Sequence, residues 1–163
     1  MKYSEQNYRL LVIVHLAASL FMVGLIWTIQ YAHYPLFAYV GETTYASFQA
    51  EHVERIGRLL IVPWLTEGVT LIGIFAIAFI GKRKELRVLA VINAVAMAVV
   101  LVLSGFWSAP AHAKLADGFD ESVHHQLMTV NLIRTFAWTV CGLCAVLIAL
   151  SAWASDRTTQ QNT

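Results

Sequence analysis

Four stretches of the chain, at about 10–31, 59–80, 86–107 and 127–151, are almost unbroken runs of apolar residues with few charged side chains. Each is close to the roughly 20 residues that carry an α-helix across a bilayer core. None alternates as a strand would, and in lipid the backbone must satisfy its own hydrogen bonds. The pattern predicts an all-α integral membrane protein, a four-helix bundle forming one transmembrane domain over residues 1–163. The first run is longer than a signal-peptide core and continues into Trp27, Gln30, Tyr31 and His33. It reads as an uncleaved span.

Composition agrees. Charged residues make up 13% of the chain and hydrophobic ones 58%, against about 25% charged in a soluble domain. Mean hydropathy is +0.63. Lys82, Arg83, Lys84 and Arg87 crowd the short link between the second and third runs, and Lys2, Arg9 and Arg157 fall on the same side. The positive-inside rule puts that side in the cytoplasm, so both termini are expected there, with long loops outside. The expected location is the inner (plasma) membrane of a bacterium, as a multi-pass protein. A net charge of +1 and the lack of a basic, aromatic-interleaved array give no reason to expect nucleic acid.

The outer connections have distinct chemistry. Pro35 should break the first helix near Tyr34. Gly41 marks a turn, and Thr43 or Thr44 is a candidate cap for a helix starting at Tyr45. Glu51 with Arg55, and Glu54 with Arg58, stand one helical turn apart as surface pairs. Pro63 should bend the second span. In the second connection Gly118 offers turn chemistry, and Asp120 or Ser122 could cap the last span. Its acidic residues are too few and wrongly spaced for a calcium loop. Cys141 and Cys144 read as small packing residues of the fourth span, with no disulfide expected.

Polar groups inside the spans are the strongest local clues, because each is costly in lipid. Glu67 in the second span and Arg134 in the fourth both lie roughly 12 Å below the outer surface at 1.5 Å per residue. A buried ion pair between them would either order the bundle or border a cavity. His15 and Asn93 form a second level nearer the cytoplasm, suited to bonding across helices. Asn131 shares a face of the fourth span with His124.

Five histidines, His33, His52, His112, His124 and His125, gather at the outer helix ends. Imidazole suits zinc, copper and iron, and Glu51 is the nearest carboxylate in sequence. His33, Glu51, His52, His112 and His124 are therefore the candidate metal ligands, although no spacing matches a metal motif. The alternative is a hydrated mouth in which histidines cap helices. Haem held by facing histidines is a less favoured option. Trp27, Trp64 and Trp107, with Tyr31, Tyr34 and Tyr39, form either an interfacial belt or the wall of a pocket for a flat substrate or quinone.

The segment Trp107-Ser-Ala-Pro-Ala-His-Ala-Lys-Leu115, with the later Asn131-Leu-Ile-Arg-Thr135, resembles the anthrone-oxygenase-like family of small four-helix membrane proteins. Pro110, Leu115, Asn131, Arg134 and Thr135 match the family pattern. Ser108 and His112 stand where the family carries two asparagines. The resemblance implies an oxidoreductase that oxygenates reduced aromatic compounds. On that basis the expected function is a membrane oxidoreductase, with oxygenase as the narrower expectation, acting on a hydrophobic or aromatic substrate at an outward-facing histidine-rich site. Asn131 and Arg134 would stabilise negative charge on oxygen, and Glu67 would hold Arg134 or accept a proton. A non-enzymatic accessory protein for lipid, quinone, haem or a membrane-protein partner is the second expectation, and a homo-oligomer is compatible with both. A channel is a third, although no span has a continuous polar face.

Overall fold

The computed structural model describes residues 5–81 and 84–160, with side chains through Ala154. Lys2, Lys82, Arg83 and the side chain of Arg157, which contribute to the expected orientation, lie outside the described residues. The chain is all-α. Helix α1 runs Glu5–Thr28, α2 Glu42–Ile80, α3 Lys84–Leu103, α4 Ala109–Leu115 and α5 Glu121–Gln160. Four helical segments are long and apolar enough to cross a membrane: Glu5–Tyr39, Glu42–Ile80, Lys84–Leu115 and Glu121–Ala154.

The layers of the core fix the topology. Tyr8 and Val12 of α1 pack with Ile74 and Ala78 of α2, Leu86 and Ala90 of α3, and Ile148 and Ala152 of α5. Early residues of α1 and α3 thus meet late residues of α2 and α5, so successive long helices are antiparallel, and the start of α1 and the later turns of α5 share one end of the bundle. A middle layer holds Met22, Leu71, Met97 and Trp138. The opposite end is packed by Phe37, Tyr45, Leu115 and Leu127. Around the ring the order is α1, α2, α3, α5; the diagonal pairs α1–α3 and α2–α5 make no close backbone approach. Glycine allows a close approach here: a Cβ at Gly142 would stand 2.8 Å from Val23 Cγ2, so α5 lies directly against α1.

The connections at the far end are more helical than their composition suggests. Among the described residues there, only 40–41 and 116–120 fall outside helices. The break expected at Pro35 does not occur. Instead α1 widens into a π turn, Ile29–His33, closed by the Tyr34 N–H on the Ile29 carbonyl, and then tightens into a 3-10 turn, Tyr34–Tyr39. Helix α3 does the same: the π turn Ser104–Ser108 is closed by the Ala109 N–H on the Ser104 carbonyl, just before Pro110. Proline lacks an N–H and crowds the carbonyl four residues back; a wider preceding turn relieves that clash without ending the helix.

Helix α2 begins at Glu42, three residues ahead of the expected Tyr45, with Gly41 at its N-cap and the Thr44 hydroxyl on the Gly41 carbonyl. Asp120 caps α5 as expected, its Oδ1 accepting from the Val123 N–H at 2.9 Å. Gly118 takes φ +144°, a conformation that side chains rarely adopt, and so makes the turn before it. Cys141 and Cys144 are buried free thiols.

Candidate functional site

The two π turns aim their last residues into the bundle. His33 ends the first, and its Nε2 lies 2.8 Å from Nδ1 of His52 on α2. Ser108 ends the second, and its Oγ accepts from Arg134 Nη1 at 3.1 Å. Gln30, also in the first π turn, accepts from Asn131 Nδ2 at 2.8 Å. Widened turns of this kind recur at functional sites because they offset side chains from the regular helical face.

Tyr34 is the hub. Its hydroxyl lies 2.9 Å from His112 Nε2, and its backbone carbonyl accepts from His124 Nε2 at 2.9 Å. The guanidinium of Arg134 acts electrostatically on both the Tyr34 phenol and His112. On the far side of His112, Nδ1 meets the Gln49 side-chain amide at 2.8 Å. This chain is consistent in two directions. With the amide nitrogen donating to Nδ1, His112 donates from Nε2 to the phenol oxygen; with the amide reversed, the phenol donates to Nε2. The His33–His52 contact likewise needs one donor and one acceptor, so the pair shares a single ring proton between the facing nitrogens.

Arg134 is 6% exposed, and no carboxylate pairs with it among the described residues. Besides Ser108, it donates to Asn131 Oδ1 at 3.2 Å, while its Nε has no partner. The Glu67–Arg134 ion pair that equal depth suggested does not form. Depth fixes the level of a residue but not what lies between two diagonal helices, and here the Trp138 indole fills that space. Arg134 Cζ stands 5.4 Å from the Trp138 ring centroid, and Trp138 Nε1 donates to Glu67 Oε2 at 3.0 Å. Besides Trp138, Glu67 has the Ser19 hydroxyl as its neighbour, and both residues are fully buried.

One helical level toward the chain ends, His15 bonds Thr70 Oγ1 through Nδ1 at 2.9 Å and Asn93 Nδ2 through Nε2 at 3.0 Å. That contact joins the α1–α3 diagonal, as Trp138–Glu67 joins the α2–α5 diagonal.

The structure thus brings His33, His52, His112, His124, Asn131 and Arg134 into one network and places Glu67 beyond Trp138. Glu51 faces away: it is exposed and pairs with Arg55 at 2.7 Å. His125 is exposed at the start of α5. Among the described residues, no group of three or more His, Cys, Asp or Glu side chains is arranged to hold a metal ion. The His33 and His52 nitrogens, at 2.8 Å, are closer than the about 3.3 Å that separates two imidazole ligands of one tetrahedral zinc. Taking up a metal would require the rings to part. Tyr34, Gln49, Gln30 and Trp138 join the network without having been singled out by motif, and Ser108 joins it from the segment that departs from the family pattern. Helical spacing signals three of them: Gln49 lies three residues before His52, Ser108 four before His112, and Trp138 four after Arg134.

No family model, curated protein or solved structure matches this chain.

Proposed function

We propose that this chain is a membrane oxidoreductase that binds an electron-rich, lipid-soluble substrate and holds it as an oxygen anion for oxidation. One observation supports this above the others: a buried guanidinium with no carboxylate counter-ion among the described residues, surrounded by neutral hydrogen-bonding groups. Burying such a cation is expensive, and an anionic oxygen beside Arg134 offsets that cost. Asn131, Ser108 and Tyr34 complete a preorganised polar wall of the oxyanion-stabilising kind. Tyr34, His112 and Gln49 form a chain able to pass a proton in either direction, suited to taking the one released when a hydroxyl or enol ionises. The anthrone-oxygenase-like resemblance through Asn131, Arg134 and Thr135 points to the same chemistry, with dioxygen as electron acceptor.

A transition metal at His33, His52 and His112 is a variant of the proposal that the chemistry does not require, because the substrate anion is itself the reductant. In the membrane we place both termini in the cytoplasm and the histidine end outside, in a bacterial inner membrane, on the strength of the charged link after α2.

The proposal is tested with a nitronaphthol, a lipid-soluble phenol whose anion absorbs in the visible. The purified protein should bind it as the anion at a pH where the same phenol stays neutral in protein-free bilayers. Arg134→Met should bind it neutral. Equal ionised fractions in the two proteins would refute anion stabilisation by Arg134. Elemental analysis of the native protein, with the His52→Ala/His112→Ala variant as control, decides the metal variant separately. Stoichiometric metal lost from the double variant supports it, and metal-free native protein rejects it.

A further inference from the structure

A groove runs along the outside of the bundle between α2 and α3, with a volume of about 400 Å³ in the stretch beside Trp64. Its lining there is wholly apolar and includes Trp64, Gly68, Ile72, Met97 and Leu101. Ile72 is 71% exposed and Leu101 54%, so the groove opens sideways, toward lipid in a membrane. At Gly68 the wall has no side chain, and a Cβ built there meets nothing within 4 Å.

What distinguishes this groove from an ordinary lipid-facing furrow is the structure behind it. Trp64 meets the Trp138 ring edge-on at 5.6 Å, and Trp138 in turn covers Arg134 and donates to Glu67. A single indole therefore separates the groove wall from the charged core. Behind it, the Arg134 Nε donor is buried without a partner. An orphaned buried donor is costly, and an acyl chain in the groove offers it nothing. A ligand with an apolar body and one oxygen does.

We propose that the α2–α3 groove is the lateral entry and binding site for the substrate of the buried site, and that this substrate is a flat aromatic ring system carrying a hydroxyl at one edge. The claim rests on the oxyanion proposal above for the fate of that hydroxyl. The volume suits a small ring system, at the lower end of ligand-site sizes. The indole wall favours a flat aromatic face, which stacks or packs edge-on against it. The apolar lining excludes a body with several polar groups. Displacement of the Trp138 ring brings the hydroxyl within reach of Arg134.

Nitroaromatics quench indole fluorescence on contact, so the same nitronaphthol reports binding through Trp64 and Trp138, independently of its ionisation. In nanodiscs, native protein should show saturable quenching. Gly68→Leu, which fills the groove from α2, and Leu101→Trp, which fills it from α3, should each weaken binding at least tenfold, while Gly68→Ala should leave it within twofold. A saturated fatty-acid methyl ester should not compete. Unchanged affinity in a folded Gly68→Leu or Leu101→Trp protein would overturn the proposal, as would full competition by the methyl ester, which would mark a plain acyl-chain furrow. Arg134→Met separates the two claims. If quenching survives while the visible anion band is lost, groove and anion site both stand; if both signals survive, only the anion site falls.

Discussion

Two polar levels cross the core of this bundle, and they differ in how completely they are satisfied. At the level of His15, both ring nitrogens have partners, Thr70 and Asn93, and only Asn93 Oδ1 is left over. At the level of Arg134 and Glu67, the guanidinium Nε lacks a partner and the Arg134 charge has no carboxylate beside it among the described residues. Both levels tie a diagonal of the ring together, so both order the fold. A closed level is sufficient for that purpose, and an open one carries a cost that a bound molecule can remove. The difference fits an architectural part for His15 and, under the proposed function, the holding of a substrate oxygen by Arg134.

The comparison breaks if both levels respond alike to mutation. The largest expected contrast is between Arg134→Met and His15→Leu. Removing an uncompensated buried charge should leave the bundle at least as stable, by about 0–3 kcal/mol, while abolishing the bound-phenolate signal. His15→Leu leaves the Asn93 amide unpaired, while the Thr70 hydroxyl keeps its bonds to the Thr66 and Glu67 carbonyls; it should cost about 1–3 kcal/mol, with phenol binding retained. Reversible unfolding in mixed micelles, read alongside the visible absorbance, checks both. A large stability loss for Arg134→Met would mean that its level is architectural too.

Trp138→Phe is next. It keeps an aromatic ring between Arg134 and Trp64 but removes the donor to Glu67, and should cost about 1–2 kcal/mol. With the partition weakened, phenol quenching should be kept and its approach to Arg134 should quicken in stopped flow. A slower approach would show that the indole guides the ligand. Gly142→Ala tests the apolar frame alone. The added methyl must displace Val23, a cost of about 1 kcal/mol after the helical gain over glycine, with no change in phenol ionisation. The smallest effect belongs to Glu51→Ala. Its carboxylate faces water beside Arg55, so metal content, phenol binding and stability should all stay at native values.

Much of the frame was legible in the sequence, because four long apolar runs leave a chain few other ways to satisfy its backbone. Asp120 as a cap and Gly118 as a turn were legible for equally local reasons. The π turns were not. Pro35 and Pro110 announce a disturbance, but whether a helix breaks or widens depends on the packing of the following turn. The site was half legible. His33, His52, His112, His124, Asn131 and Arg134 could be gathered by topology, since helix ends and levels follow from counting residues. Glu51 and the Glu67–Arg134 pair show the limit of counting. Sequence distance and depth do not reveal that Glu51 faces outward to Arg55, or that an indole lies between two diagonal helices. Tyr34 escaped because a tyrosine at a span end is ordinarily an interfacial anchor, and only the π turn swings it into the core.

The central claim is that Arg134 stands open to hold an oxygen anion. Its most direct test is the visible titration of nitronaphthol bound to the native protein and to Arg134→Met in the same nanodiscs. Arg134 lowering the pH midpoint for the bound phenol by at least one unit relative to the variant is the predicted result. Coincident midpoints, with binding intact in both, would contradict it.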